Sequence, residues 1–169
     1  MGRLNEDVVT SIPEIEHLLG RLLGACQSFY GDRLVSLVVF GSVGRGTPRP
    51  DSDVDLLVVA NPLPDGRIPR VREFDAVERS AVSGGPANSA NRLSPIFKTP
   101  AEVRRGSPLF LDMLDDGRLL YDRGGFFAGE LAALKGRLEK LGSKRIWKGD
   151  SSYWDLKPDF KPGDEIVLF

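Results

Sequence analysis

The sequence has little of several things, and each shortage closes a door. One cysteine, Cys26, excludes an intramolecular disulfide and a cysteine-held zinc. The one histidine, His17, falls on the polar face of the first helix near Glu14 and Arg21, where a surface residue rather than a ligand is expected. No apolar run reaches bilayer-spanning length. The first nine residues carry no basic-then-apolar leader pattern, so a reducing cytoplasm is the expected setting. Net charge is −1, with 23 basic against 24 acidic residues, so no global field would hold nucleic acid by its backbone. Repeats and low-complexity tracts are absent. What remains is a chain of 169 residues with an ordinary apolar fraction, enough for one buried core.

Periodicity supplies the elements. Ser11-Ile12-Pro13-Glu14 reads as a capping box, and Ile15, Leu19, Leu22, Cys26 and Phe29 continue it as an amphipathic helix to Tyr30. Residues 33–40 form a Leu/Val-rich strand that stops at Gly41. Residues 53–60 form a second strand, apolar on both faces beyond Val54, so it belongs inside a sheet covered on both sides. A helix is expected over 70–82, then a loop over 83–91. A short strand over 93–98 contains Pro95, which points to an edge. Thr99-Pro100-Ala101-Glu102 and Ser107-Pro108 each start a short helix, and 119–121 form a strand. Phe127, Leu131, Leu134, Leu138 and Leu141 mark a last helix closed by Gly142. The tail has strand-like pieces at 144–147 and 166–169. The expectation is an α/β (α+β) fold, a small mixed sheet flanked by helices. Residues 1–122 form the main domain, and 123–169 a helix and aromatic tail packed on it.

The chemistry concentrates in Phe40-Gly41-Ser42-Val43-Gly44-Arg45-Gly46, followed by Asp51-Ser52-Asp53-Val54-Asp55. Residues two apart on a strand share a face, about 6.6 Å apart along the backbone. Asp53 and Asp55 therefore project together and repel by roughly 3 kcal/mol at an effective dielectric near 20. A hard cation offsets that, and Mg²⁺ or Mn²⁺ suits carboxylates combined with substrate phosphates. Gly41 lets backbone approach a bulky anion, Ser42 offers a hydroxyl and an amide, and Arg45 adds a fork of donors for phosphate. Together they suit a nucleoside triphosphate bridged through metal to the carboxylates, an assembly for in-line nucleotidyl transfer.

Rival motifs fail on detail. Gly46 is followed by Thr47 with no lysine, which excludes a P-loop. Gly41, Gly44 and Gly46 are spaced three then two, the reverse of a dinucleotide fingerprint. An EF-hand would need glycine at Leu56 and glutamate at Pro62.

Gly-Ser, ten residues, then Asp-x-Asp resembles the pattern of the DNA polymerase β-like nucleotidyltransferase superfamily, over residues 34–60. It looks most like the minimal nucleotidyltransferases, and the tail from Lys144 to Pro158 is similar to tails on members of that group. The resemblance implies that Gly41 and Ser42 bind phosphate and that Asp53 and Asp55 are the metal-binding, catalytic pair. It also implies a third carboxylate on the neighbouring strand, and Leu93-Ser94-Pro95-Ile96-Phe97-Lys98 has none. The substitutes are Asp51, Asp75 or a metal-bound hydroxide. Two functions follow. One is an enzyme moving a nucleoside monophosphate to an unknown acceptor. The other is a weak or inert antitoxin-like protein bound to a helical toxin partner. Nucleic-acid binding through Trp147, Tyr153, Trp154, Lys148, Lys157 and Lys161 is disfavoured by net charge; a sheet-edge seal is the expected role of those aromatics. No membrane contact is expected, and the oligomeric state is open.

Overall fold

The computed structural model describes residues 12–49, 52–83, 85, 93–149 and 151–169. Ser11 of the first capping box, Asp51 and most of the 83–91 loop lie outside them. In chain order the elements are α1 (Ile12–Tyr30), β1 (Leu34–Phe40), α2 (Gly41–Gly44), β2 (Val54–Ala60), α3 (Arg67–Val82), β3 (Leu93–Lys98), α4 (Pro100–Arg104), α5 (Phe110–Asp116), β4 (Arg118–Asp122), α6 (Phe126–Leu141), β5 (Lys144–Lys148) and β6 (Ser151–Asp155).

Four strands form a mixed sheet in the order β3-β2-β1-β4. β1 runs antiparallel to β2 and β4, and β2 runs parallel to β3. β3 is an edge strand, as Pro95 requires, because a central strand cannot spare the missing N–H. Every residue of β1 is buried. The sheet is covered on both sides, as a strand apolar at both parities demands. Leu37, Val39, Leu56 and Val58 pack under α1 and α3 with Leu19, Leu22, Cys26, Phe74 and Val77. Val38, Phe40, Leu57 and Val59 pack on the other face with Val103, Phe110, Met113, Phe127, Leu134 and Leu138. Burial pushes the Cys26 thiol up to about 12, so it is an inert core group.

One polar residue sits in the first strand. Ser36, fully buried, follows a register irregularity between Leu34 and Ser36. Its hydroxyl donates to Asp122 Oδ1 at 2.6 Å. The same carboxylate accepts from the N–H groups of Phe127 (2.9 Å) and Ala128 (3.0 Å), capping α6. Asp122 therefore satisfies a buried hydroxyl and a helix start at once.

Four expectations need correcting. Phe29 is 38% exposed, and Tyr30 takes its place in the core. α3 begins at Arg67, directly after Gly66 at φ +84°. The Ser107-Pro108 start delivers a helix only from Phe110. Residues 166–169 form no strand; β5 pairs instead with β6, in register from Lys144↔Asp155 to Lys148↔Ser151. Leu168 is nevertheless buried in the second core. Thr99 makes its capping box with Glu102 as the pattern requires. Among the described residues no helix is long and apolar enough to cross a membrane.

Candidate functional site

The site is built where β1 ends. Phe40, its last residue, stands opposite Asp55 across the antiparallel pair. The chain turns there into α2, with Gly41 at φ +68°. A Cβ on Gly41 would land on Asp55 Oδ2. The half-buried carboxylate thus lies directly against the turn, and only glycine leaves room for it. Val54 is buried on the opposite face of β2, which fixes the side to which Asp55 points. Asp53 is exposed, just ahead of the strand.

α2 is held as closely as Gly41. A Cβ on Gly44 would meet the carbonyl oxygen of Asp116 and lie 2.9 Å from that of Val39. The turn is therefore clamped between β1 and the end of α5. Backbone bonds from Arg45 to Gly41 (3.0 Å), Gly46 to Val43 (3.1 Å) and Thr47 to Ser42 (2.9 Å) complete it.

Burial pushes the Asp55 carboxyl above the ordinary carboxylate range. The charge of Asp53 pushes the same way, and a hydrogen bond from Ser94 opposes both. Ser94 is the β3 residue in register with Asp55. The acid-free third strand thus brings a hydroxyl, not a carboxylate, to the place beside Asp55. Among the described residues no cluster of three or more Asp, Glu, His or Cys could hold a metal. The donor chemistry of two carboxylates, Asp53 and Asp55, is of the kind that suits a hard cation whose remaining oxygens come from other sources.

Two cavities open at this rim. One, about 340 Å³, is lined by Gly41, Arg45, Asp55, Asp112 and Arg145 among others. The other, about 670 Å³, is lined by Ser42, Arg45, Thr47, Arg49 and Ser52. Trp147 and Ser151 of the β5–β6 hairpin line both. Gly41, Arg45 and Asp55 therefore share one cavity, and Ser42 and Arg45 share its neighbour. Asp53 lines neither, though its charge reaches Asp55.

Sequence reasoning missed the network behind these walls. Asp116 is a buried carboxylate whose Oδ2 accepts from Arg45 Nη1 (2.8 Å) and from Arg145 Nη2 (3.0 Å). Burial alone would push it up, but the hydrogen bonds from Arg145 and Arg45 outweigh that and hold it below the ordinary range. Arg45 is thereby anchored by one nitrogen while it faces both cavities. Asp112 was missed as well. It lies on α5, whose role as a cavity wall is set by tertiary packing alone. Asp75, one of the substitutes considered for the third carboxylate, lies on α3, which packs on the face of the sheet opposite that of Asp55.

The chain is similar to several known proteins. A family model described as a nucleotidyltransferase domain matches residues 19–87, a stretch that includes Gly41, Ser42, Asp53 and Asp55. The curated "Putative protein adenylyltransferase MJ1305" of Methanocaldococcus jannaschii is 32% identical over 144 residues, 84% of this chain and 94% of that protein. Among solved structures, a toxin–antitoxin complex with AMP-PNP aligns over 73% of this chain and 92% of that one, at 17% identity and a TM-score of 0.48. A structure described as a putative nucleotidyltransferase from Sulfolobus solfataricus covers 73% and 93%, at 20% identity and a TM-score of 0.42. With a relative of 32% identity spanned almost end to end, the chain belongs to the nucleotidyltransferase family.

Proposed function

We propose that this protein transfers a nucleoside monophosphate, AMP in the first instance, from a nucleoside triphosphate to a hydroxyl on a partner protein. The observation that carries the reading is the contact of Asp55 with Gly41, which puts a carboxylate against the turn that would cradle phosphate. The relative named as a protein adenylyltransferase supports the acceptor class. Ser42 and Arg45 would hold phosphate oxygens, Ser42 through its hydroxyl and amide and Arg45 through its guanidinium. Asp53 and Asp55 would hold Mg²⁺ or Mn²⁺. When bound, the cation offsets the charge of the carboxylates and of the phosphates. The acceptor oxygen forms a bond to the α-phosphorus, the bond from that phosphorus to the β-phosphate oxygen breaks, and pyrophosphate leaves. Asp112, in the wall of the Asp55 cavity, is the side chain we assign to receive the acceptor's proton.

The test is calorimetric titration of a non-hydrolysable ATP analogue with and without Mg²⁺. Wild type should bind only with the cation, and Asp53→Ala and Asp55→Ala should each abolish that binding. Equal binding by the double variant overturns the site. A second reading rests on Ser94: with no acid on β3, the chain would bind a helical toxin partner with little or no turnover. Sustained, Mg²⁺-dependent pyrophosphate release from ATP excludes it.

A further inference from the structure

We infer that Trp147, on the β5–β6 hairpin, is the platform on which the nucleobase of the substrate stacks. The inference rests on the nucleotide reading above and extends it to the part of the nucleotide that the turn and the carboxylates do not touch.

The hairpin is a sheet of its own, outside the four-stranded one. Its register pairs Arg145 with Trp154 and Trp147 with Ser152, so these four share a face. Their fates differ. Trp154 packs against the second core and anchors the hairpin. Trp147 remains 53% exposed. What sets Trp147 apart from the other exposed apolar side chains is its place in the walls of both rim cavities.

The ring is held ready. Arg145 lies over it at 4.6 Å from the centroid. That guanidinium is itself fixed at three nitrogens: Nη1 donates to Asp115 at 3.0 Å, Nη2 to Asp116 at 3.0 Å, and Nε to Ser152 at 2.8 Å. One ring face is thus set by a rigid network, which lowers the ordering cost of stacking on what remains.

Its position selects the ligand. Trp147 lines the cavity of Ser42 and Thr47 and also the cavity of Gly41 and Asp55. Phosphates belong to the polar and cationic walls of those cavities. A flat base needs an aromatic face, and the other aromatic wall residue, Phe40, is buried in the core. Stacking of this kind tolerates any base, so ATP and GTP should use it alike.

The experiment titrates the full-length protein in Mg²⁺ with a non-hydrolysable ATP analogue and, separately, with inorganic tripolyphosphate. Trp147→Ala should weaken the analogue about tenfold or more, Trp147→Phe should stay within about threefold of wild type, and tripolyphosphate should bind all three alike. Wild-type tryptophan fluorescence should change with the analogue and not with tripolyphosphate. Unchanged affinity of Trp147→Ala for the analogue overturns the inference and leaves the ring to contact a protein. So does an equal loss for tripolyphosphate, which would mean that the hairpin had lost its place. Failure of wild type to bind either probe would instead count against the nucleotide reading itself.

Discussion

Replacing Gly41 by alanine should disable the site and spare the fold. Gly41 sits at φ +68°, where an L residue costs about 1–2 kcal/mol. Gly142, at φ +69°, carries the same backbone demand, but nothing lies within 4 Å of a Cβ built there. Gly142→Ala therefore isolates the backbone cost. At Gly41 the new methyl also meets Asp55 Oδ2. The carboxylate must leave its rotamer, which adds about 0.5–1.5 kcal/mol. The total, about 1.5–3.5 kcal/mol, is less than the 5–15 kcal/mol of an ordinary domain, so both variants should fold. Urea denaturation followed by circular dichroism measures the stability, and Mg²⁺-dependent titration of a non-hydrolysable ATP analogue measures the site. Gly142→Ala should lose about 1–2 kcal/mol and bind as wild type does. Gly41→Ala should lose more and bind at least about tenfold more weakly, the equivalent of 1.4 kcal/mol or more. If the two variants lose equal stability and both bind normally, Asp55 does not lie against the turn.

Gly44→Ala pushes a methyl into two backbone carbonyls, Asp116 and Val39, that cannot rotate aside; thermal unfolding should show a loss of about 1–3 kcal/mol. Asp122→Ala strips the buried Ser36 hydroxyl of its acceptor and α6 of its cap. Urea denaturation should show about 2–4 kcal/mol lost, and the Ser36→Ala, Asp122→Ala double variant should recover part of it. Glu102 is held at about 2 against an ordinary 4.5, first by hydrogen bonds from Arg70. A lowered carboxyl stabilises the fold above its unfolded value and loses that contribution as pH falls toward 2. Discounted for solvent screening, the contribution is about 1–2 kcal/mol, present at pH 7 in wild type and absent at every pH in Glu102→Gln. Asp112→Asn should slow pyrophosphate release about a hundredfold or more and leave nucleotide affinity unchanged; unaltered turnover removes Asp112 from the chemistry.

Local patterns made most of the fold legible. Both-parity apolarity in β2 announced a sheet covered on two faces, Pro95 announced the edge, and Thr99 and Gly142 marked their helix ends. The face to which Asp55 points was legible for the same reason, since a period of two fixes it once Val54 is buried; Asp53 lies just ahead of the strand, where that period does not apply. What escaped were long-range meetings. Nothing near Asp116 in the chain announces that it will join Arg45 to Arg145, 29 residues further on. The two tryptophans are alike in sequence, yet burial against the second core separates Trp154 from the exposed Trp147. Residues 166–169 have the composition of a strand, but β5 was paired more cheaply by its own hairpin neighbour β6, across a short turn.

The most direct measurement is a crystal structure of the protein with Mn²⁺ and a non-hydrolysable ATP analogue, with the manganese located by its anomalous scattering. The metal peak should be bonded to carboxylate oxygens of both Asp53 and Asp55, with the analogue's phosphates against the Gly41–Ser42 turn. A metal elsewhere on the surface, or phosphates bound away from that turn, would contradict the proposed site.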